Sequence, residues 1–433
     1  GWNYYEKDEN GQVRLTDLFR SDLKNRYIGC FWATLRADPW TRKTLRTGLS
    51  PREAAEMTNA IQRYARDSTR LGIPLFLAEE CPHGHMAIGT TVFPTAIGRA
   101  STWNTELEER VAEIVALEAR LQGGHIGYGP VLDVARELRW SRVEEGYGED
   151  PFLSGSMGSA YVRGLQGGNV GSGENVIATL KHFTAYGVPE GGHNAGMAHV
   201  GVRELLTELS YPFEMAVKAG ALSLMTAYNE VDGIPCTANP FLTNQLLRDQ
   251  WGFSGFVVSD LYAIDGLMSQ RVAAGRDEAG ILALRSGVDS DLGGNCFSAD
   301  LVRACREGRL AEADIDRAVS RILRLKFKMG LFDNPYVKVK KAEKLIGTSG
   351  HREVAREVAR QSVVLLKNEN QLLPLSKEVK RVAVIGPNAD NVYNQLGDYT
   401  APQAPGSVIT VLEGIRQKLP GAEVRYVKGC AVR

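Results

Sequence analysis

The 433-residue chain reads as an α/β protein, a (β/α)8-like barrel followed by the start of an α/β sandwich domain. Three observations predict this. Across residues 50–330, short apolar runs that each end in a polar residue alternate with amphipathic helical stretches, as expected of parallel strands covered by helices. The eightfold barrel is the commonest closed form of that pattern. A stretch without periodicity, rich in Pro, Gly and Lys, follows at residues 331–350 (LFDNPYVKVKKAEKLIGTSG), and the alternation then resumes on a smaller scale. The length also exceeds that at which one hydrophobic core usually stops growing, so more than one domain is expected.

In order along the chain, the predicted strands are residues 73–80, 125–133, 176–182, 221–229, 255–260 and 281–289. Helical periodicity falls between them at 50–70, 104–122, 203–219 and 239–250, and a basic amphipathic helix closes at 321–327. Six runs are clear, so closure into a barrel rests on the type of repeat and not on a count of eight. After the linker come a helix (351–361), an apolar run (363–366), a strand (381–385), a helix (407–419) and a strand (423–427). The expected division is a barrel over 1–332, a linker over 333–350, and the N-terminal part of a sandwich domain over 351–433, incomplete because that stretch is shorter than most domains.

Composition narrows the function. Lys+Arg 51 balances Asp+Glu 51, which removes the electrostatic reason to expect nucleic acid or an anionic membrane as partner. No segment approaches the ~20 uninterrupted apolar residues of a membrane helix. The N-terminus shows no signal peptide, and a start at Gly1 fits a processed or recombinant chain; the periplasm or the exterior is favoured over the cytoplasm. The six cysteines lie far apart, with no pair at zinc-site spacing, so no metal is expected.

In a parallel barrel the site lies where the strands end, because the loops there converge on the axis. The segment LLRDQWGFSGFVVSDLYA (residues 246–263) delivers Asp260 at the end of an apolar strand. A carboxylate there is costly unless it is hydrogen-bonded or functional, although capping the next helix would also explain it. Other strand ends and adjoining loops supply Glu80, Arg142, Lys181, His182 and Tyr228. A carboxylate accepts from vicinal hydroxyls, Arg and Lys donate, and His does either, so together these groups describe a polyol pocket. Each also has a plainer reading: Glu80 paired with Lys181, Arg142 paired with Glu144 or Glu149, His182 a satisfied core histidine, and Tyr228 a packing residue. Residues 148–151 (GEDP) read as a structural turn. A nucleotide site at residues 384–388 is disfavoured because the three-glycine phosphate loop is absent.

These motifs resemble the family 3 glycoside hydrolases, which include β-glucosidases, β-xylosidases and xylosidase/arabinosidases. Residues 246–263 fit that family's nucleophile signature, and GPVLDVARELRWSRVEEGYGEDP (129–151), KHFTAYG (181–187), SLMTAYNEVDG (223–233) and SVVLLKNENQLLPL (362–375) resemble its other marks in the same order. The resemblance implies that Asp260 is the catalytic nucleophile of a retaining enzyme and that Glu80, Arg142, Lys181, His182 and Tyr228 line the subsite for the non-reducing sugar. It implies terminal β-D-glucose or β-D-xylose as the sugar released, an oligosaccharide or glycoside as substrate, and no cofactor. Three positions depart from the commonest pattern. Glu80 stands where many β-glucosidases carry Asp, as in xylosidase-like members; Leu261 stands where many carry Trp or Cys; His193 stands where similar enzymes carry Arg.

In two-domain members of the family the acid/base is a Glu of the second domain, expected past Arg433, so no acid is named. His193 and Glu145 are the fallbacks if it lies within the chain. The further partner expected is the remaining C-terminal portion of the same enzyme or a second copy of the chain. On this reading the chain alone turns over natural substrates poorly, and the competing reading is a carbohydrate-binding fragment with little turnover.

Overall fold

The computed structural model describes residues 1–432. Its centre is a curled parallel sheet of six strands, β1 (Cys30–Trp32), β2 (Phe76–Glu80), β3 (Ile126–Val131), β4 (Ile177–Phe183), β5 (Ser223–Thr226) and β6 (Phe256–Ser259), paired in chain order. Residues of β2 to β6 are buried without exception, as expected of strands covered on both faces. The barrel-like α/β fold read from the sequence is therefore present, with six strands in the hydrogen-bonded sheet.

Two apolar cores explain this burial. On the concave side, Phe76, Ile126, Tyr128, Ile177, Met225 and Val258 pack with Leu325 and Met329. On the convex side, strand residues such as Leu180, Phe183 and Leu224 meet the covering helices. These are α1 (Pro51–Ser68), α2 (Thr105–Leu121), α3 (Pro151–Gln166) and α4 (Tyr211–Lys218), and a later helix over Glu312–Lys328 supplies Leu325 to the concave core. Each start is specified locally. Ser50 accepts from the Glu53 N–H while Glu53 accepts from Ser50, a reciprocal cap ahead of Pro51. Asn104 caps α2 at Leu107, and Asp150, in the 148–151 stretch read as a turn, instead serves as the cap of α3 at Leu153.

Past β6 run α5 (Ala263–Ser269), α6 (Arg276–Arg285) and α7 (Glu312–Lys328). Here one strand reading is corrected. Residues 281–289 are the second half of α6 and a turn, because an apolar run of this length suits a buried helix as well as a strand. Asp289, at its end, is structural: it accepts from the Val257 N–H (2.8 Å), Arg248 (2.7 Å) and Arg321 (2.7 Å), tying β6 to α7. Conversely, β1 is too short to show in the pattern.

The stretch after the barrel contains α8 (Val339–Leu345) and α9 (Ser349–Gln361), then β7 (Arg381–Ile385), α10 (Val411–Lys418) and β8 (Glu423–Val427). β7 and β8 pair in parallel in the positions predicted. Residues 363–366 are exposed and form no strand, although the sequence reads them as an apolar run fit for one.

Candidate active site

The carboxyl ends of the strands surround a pocket of about 130 Å³. All six residues singled out from the sequence line it: Glu80, Arg142, Lys181, His182, Tyr228 and Asp260.

Glu80 ends β2, and both its oxygens are engaged: the Trp32 indole N–H donates to Oε1 at 2.9 Å and Lys181 Nζ to Oε2 at 3.1 Å. The plain pairing with Lys181 is thus real, and it also fixes the carboxylate toward the pocket. Lys181 and His182 are neighbours on β4. The His182 ring sets Nδ1 2.7 Å from Asp133 Oδ2, and Nε2 lies 2.9 Å from Arg142 Nη2. Arg142 pairs with neither Glu144 nor Glu149; its guanidinium forms a two-point ion pair with Glu145 (2.5 and 2.8 Å) and donates to the Tyr186 hydroxyl at 3.2 Å.

Asp260 follows β6. Its Oδ1 accepts from the Leu261 N–H at 2.7 Å, whereas Oδ2 is buried with no hydrogen-bond partner among the described residues; His182 Nε2 stands 3.7 Å from it. The side chain does not cap α5, whose N-terminal flank is Tyr262 without a side-chain cap. Burial raises the Asp260 carboxyl to about 6, opposed by Arg142, the Leu261 N–H, Lys181 and the nearby Tyr228 hydroxyl. Burial likewise drives His182 well below its usual range, with Arg142 and Lys181 adding to the effect, so the ring is neutral. The Tyr228 hydroxyl is held protonated by burial and by the Asp260 charge.

Several residues that line the pocket or support its walls are not marked by the sequence. Trp32 ends β1, so its position at a strand end became visible only with that strand. Asp133 lay at the end of a predicted run but was not singled out; Glu145 lies in the quoted 129–151 motif and was named only as a fallback acid. Tyr399 had no signal at all. It comes from the segment after the barrel and places its ring 4.8 Å from Lys181 Nζ and its hydroxyl 3.2 Å from Arg142 Nη2. The loop carrying it docks on the barrel through two contacts, the Asp398 carbonyl with His83 and the Asp398 N–H with Glu144 (3.0 Å). Gly397 is required there, because its φ is +76° and a Cβ would lie 2.7 Å from the Thr95 methyl. Arg36 and Trp40 complete the mouth, with the guanidinium 4.6 Å from the indole centroid.

The two fallback acids fare differently. Glu145 is buried and bound through both oxygens to Arg142, which leaves it no proton to give. His193 is exposed and does not line the pocket.

Fold and pocket define an α/β-barrel protein with a polar site at the carboxyl ends of its strands. The chain belongs to glycoside hydrolase family 3: residues 13–325 match the Glycosyl hydrolase family 3 N terminal domain and residues 363–428 the Glycosyl hydrolase family 3 C-terminal domain. A beta-xylosidase of Formosa agariphila is 40% identical over 403 residues, covering 87% of this chain and 55% of the relative. The periplasmic beta-glucosidase of Salmonella typhimurium is 36% identical over 370 residues, covering 84% and 48%. Among solved structures, a β-glucosidase of Erythrobacter marinus superposes with a TM-score of 0.84 at 38% identity, covering 89% of this chain and 51% of that one. The β-glucosidase of Listeria innocua in complex with glucose gives 0.82 at 35% identity, covering 88% and 52%. The chain spans about half the length of the curated relatives it matches. Among the described residues, no helix is long and apolar enough to cross a membrane.

Proposed function

We propose that this chain carries the sugar-binding and nucleophile portion of a retaining, exo-acting β-glycosidase that releases terminal β-D-glucose or β-D-xylose from oligosaccharides or glycosides. The observation that carries the proposal is Asp260: a buried carboxylate with one free oxygen, on the floor of a pocket whose walls otherwise offer hydroxyl-binding groups. Its family and the names of its relatives support the same class of reaction. The periplasmic relative favours a periplasmic or secreted setting.

In the first displacement Asp260 Oδ2 attacks the anomeric carbon, the glycosidic C–O bond breaks, and the leaving oxygen takes a proton from a second acid. The glycosyl ester on Asp260 is then cleaved by water, whose proton returns to that acid, and configuration is retained overall. Arg142 and Lys181 favour the ionised nucleophile. Glu80 and Lys181 address neighbouring hydroxyls of the bound sugar, His182 and Arg142 another, and Tyr399 closes the wall above Lys181. Glu80 cannot supply the acid's proton while Trp32 and Lys181 donate to both its oxygens, so the acid is a separate group. No cofactor enters these steps. The unit of function is the barrel, residues 1–332, joined by residues 333–350 to a sandwich-type domain from residue 351; the two family matches fall on either side of that join.

The test is hydrolysis of a nitrophenyl β-glycoside, whose good leaving group needs little protonation. The chain should release nitrophenol, and Asp260→Ala should abolish release while remaining folded. Equal rates for the two proteins would remove Asp260 from the mechanism.

A further inference from the structure

We infer that Asp133 is a positioning residue for the pocket: it accepts a hydrogen bond from Nδ1–H of His182 and so fixes the tautomer whose Nε2 lone pair holds Arg142 at the pocket wall and which aims no proton at Asp260. The inference rests on the proposed function for what the ring does, but the tautomer itself follows from geometry.

Asp133 lies just beyond β3, and its carboxylate is wholly buried. It faces His182 twice, accepting from the backbone N–H at 3.3 and 3.4 Å and standing 2.7 Å from ring Nδ1. On the other side of the ring, Arg142 Nη2 is 2.9 Å from Nε2. A guanidinium has donors only, so Nε2 must be the acceptor. A neutral imidazole carries one proton, which therefore sits on Nδ1 and points at Asp133.

The groups packed around the ring agree. Lys181 adjoins it on β4, Arg142 and Glu145 come from the loop after β3, Asp260 follows β6, and the Tyr186 ring centroid lies 5.1 Å away. Two cations and burial exclude a second proton from the ring.

The consequence falls on Asp260. Its Oδ2 has no donor and lies 3.7 Å from Nε2. In the other tautomer an Nε2–H would be directed at that oxygen, and a hydrogen bond there would tie up the lone pair that attacks the sugar. With Asp133 in place, the Nε2 lone pair accepts from Arg142 and holds that guanidinium at the pocket wall, and no ring proton competes for Asp260 Oδ2.

The experiment compares Asp133→Asn, which keeps an oxygen acceptor, with Asp133→Leu, which keeps volume and removes it. Ring 15N shifts are recorded on 15N-histidine-labelled protein, with His182 assigned from the spectrum of His182→Gln, and kcat and KM are measured on a nitrophenyl β-glycoside. The parent and the Asn variant should show a protonated Nδ1 and an unprotonated Nε2. The Leu variant should show proton density moving to Nε2, with kcat/KM down about 10- to 100-fold, the range typical of groups that orient a functional histidine. A folded Leu variant with parental 15N shifts would overturn the inference. Should Leu prevent folding, the Asn variant still decides it, because a protonated Nε2 in that protein contradicts the assignment. A parent that hydrolyses no glycoside would sink the proposed function and leave the 15N result standing.

Discussion

Asp260 combines burial, one backbone hydrogen bond and one free oxygen, and the same ionisation governs two observables. With its carboxyl raised from 3.8 to about 6, the nucleophile should lose its charge as pH falls through that value, giving kcat/KM for an aryl glycoside an acid limb near pH 6. The sign for stability is opposite. A folded-state value above the unfolded one means that the native state holds the proton more tightly, so stability falls as pH rises from about 4 to 6 and then levels off. Asp260→Asn should therefore melt higher than the parent at pH 7 to 8, by at most ~3 kcal/mol, with the gap closing by pH 4. A scanning-calorimetry series would show it; a lower melting temperature for the variant at pH 7 contradicts the account.

Glu80 yields a further prediction at the same scale. Its carboxylate reaches both Trp32 and Lys181, one methylene further than that of Asp would, and that space is taken as the place where the hydroxymethyl arm of glucose, absent from xylose, would lie. Glu80→Asp is expected to raise the ratio of glucoside to xyloside turnover, within the 10- to 200-fold available to one methylene. An unchanged ratio would mean that Glu80 does not set the size of the pocket. The pocket residues were legible because strand-end polar groups in a parallel barrel have few other uses. Asp133 and Glu145 were less so, because their work is done on Nδ1 of His182 and on Arg142, and sequence spacing does not show which side chains meet.

At the scale of elements, apolar runs on β2 to β6 were readable because both faces are buried and no polar alternation interrupts them. The same property misleads at residues 281–289, where a buried helix presents an equally apolar run, and β1, with three residues, is too short to show a pattern. The loop 397–399 was beyond sequence reading for another reason: its contacts to His83, Glu144 and Arg142 span some 250 to 315 residues, and nothing local announces them. Tyr399 has φ +56°, a conformation held only where surroundings impose it. If this loop is a wall of the sugar site, Tyr399→Ala should raise KM for an aryl glycoside about 10-fold or more, whereas Tyr399→Phe, which keeps the ring over Lys181, should stay closer to the parent. Equal effects of the two substitutions would assign the contribution to the hydroxyl alone.

For the molecule as a whole, barrel and following segment are joined by several contacts, among them two polar clusters. One is the 397–399 loop. The other is Glu118 of α2, fully buried, which accepts from the Gly347 N–H (2.8 Å) and sits 2.7 Å from His351 Nδ1 while also receiving the Thr91 N–H (2.7 Å). The order of elements, with a barrel first and an α/β segment after it, was readable from periodicity alone; the fact that the second segment contributes a pocket residue was not. The central claim is that Asp260 forms a covalent bond to the sugar, and the direct measurement is mass spectrometry of the chain after reaction with an activated 2-deoxy-2-fluoro aryl β-glycoside. The account predicts a mass increase of one fluoroglycosyl group, located by proteolysis on the Asp260 carboxylate and absent from Asp260→Ala. Saturable sugar binding with no covalent adduct, or an adduct on another residue, would contradict it.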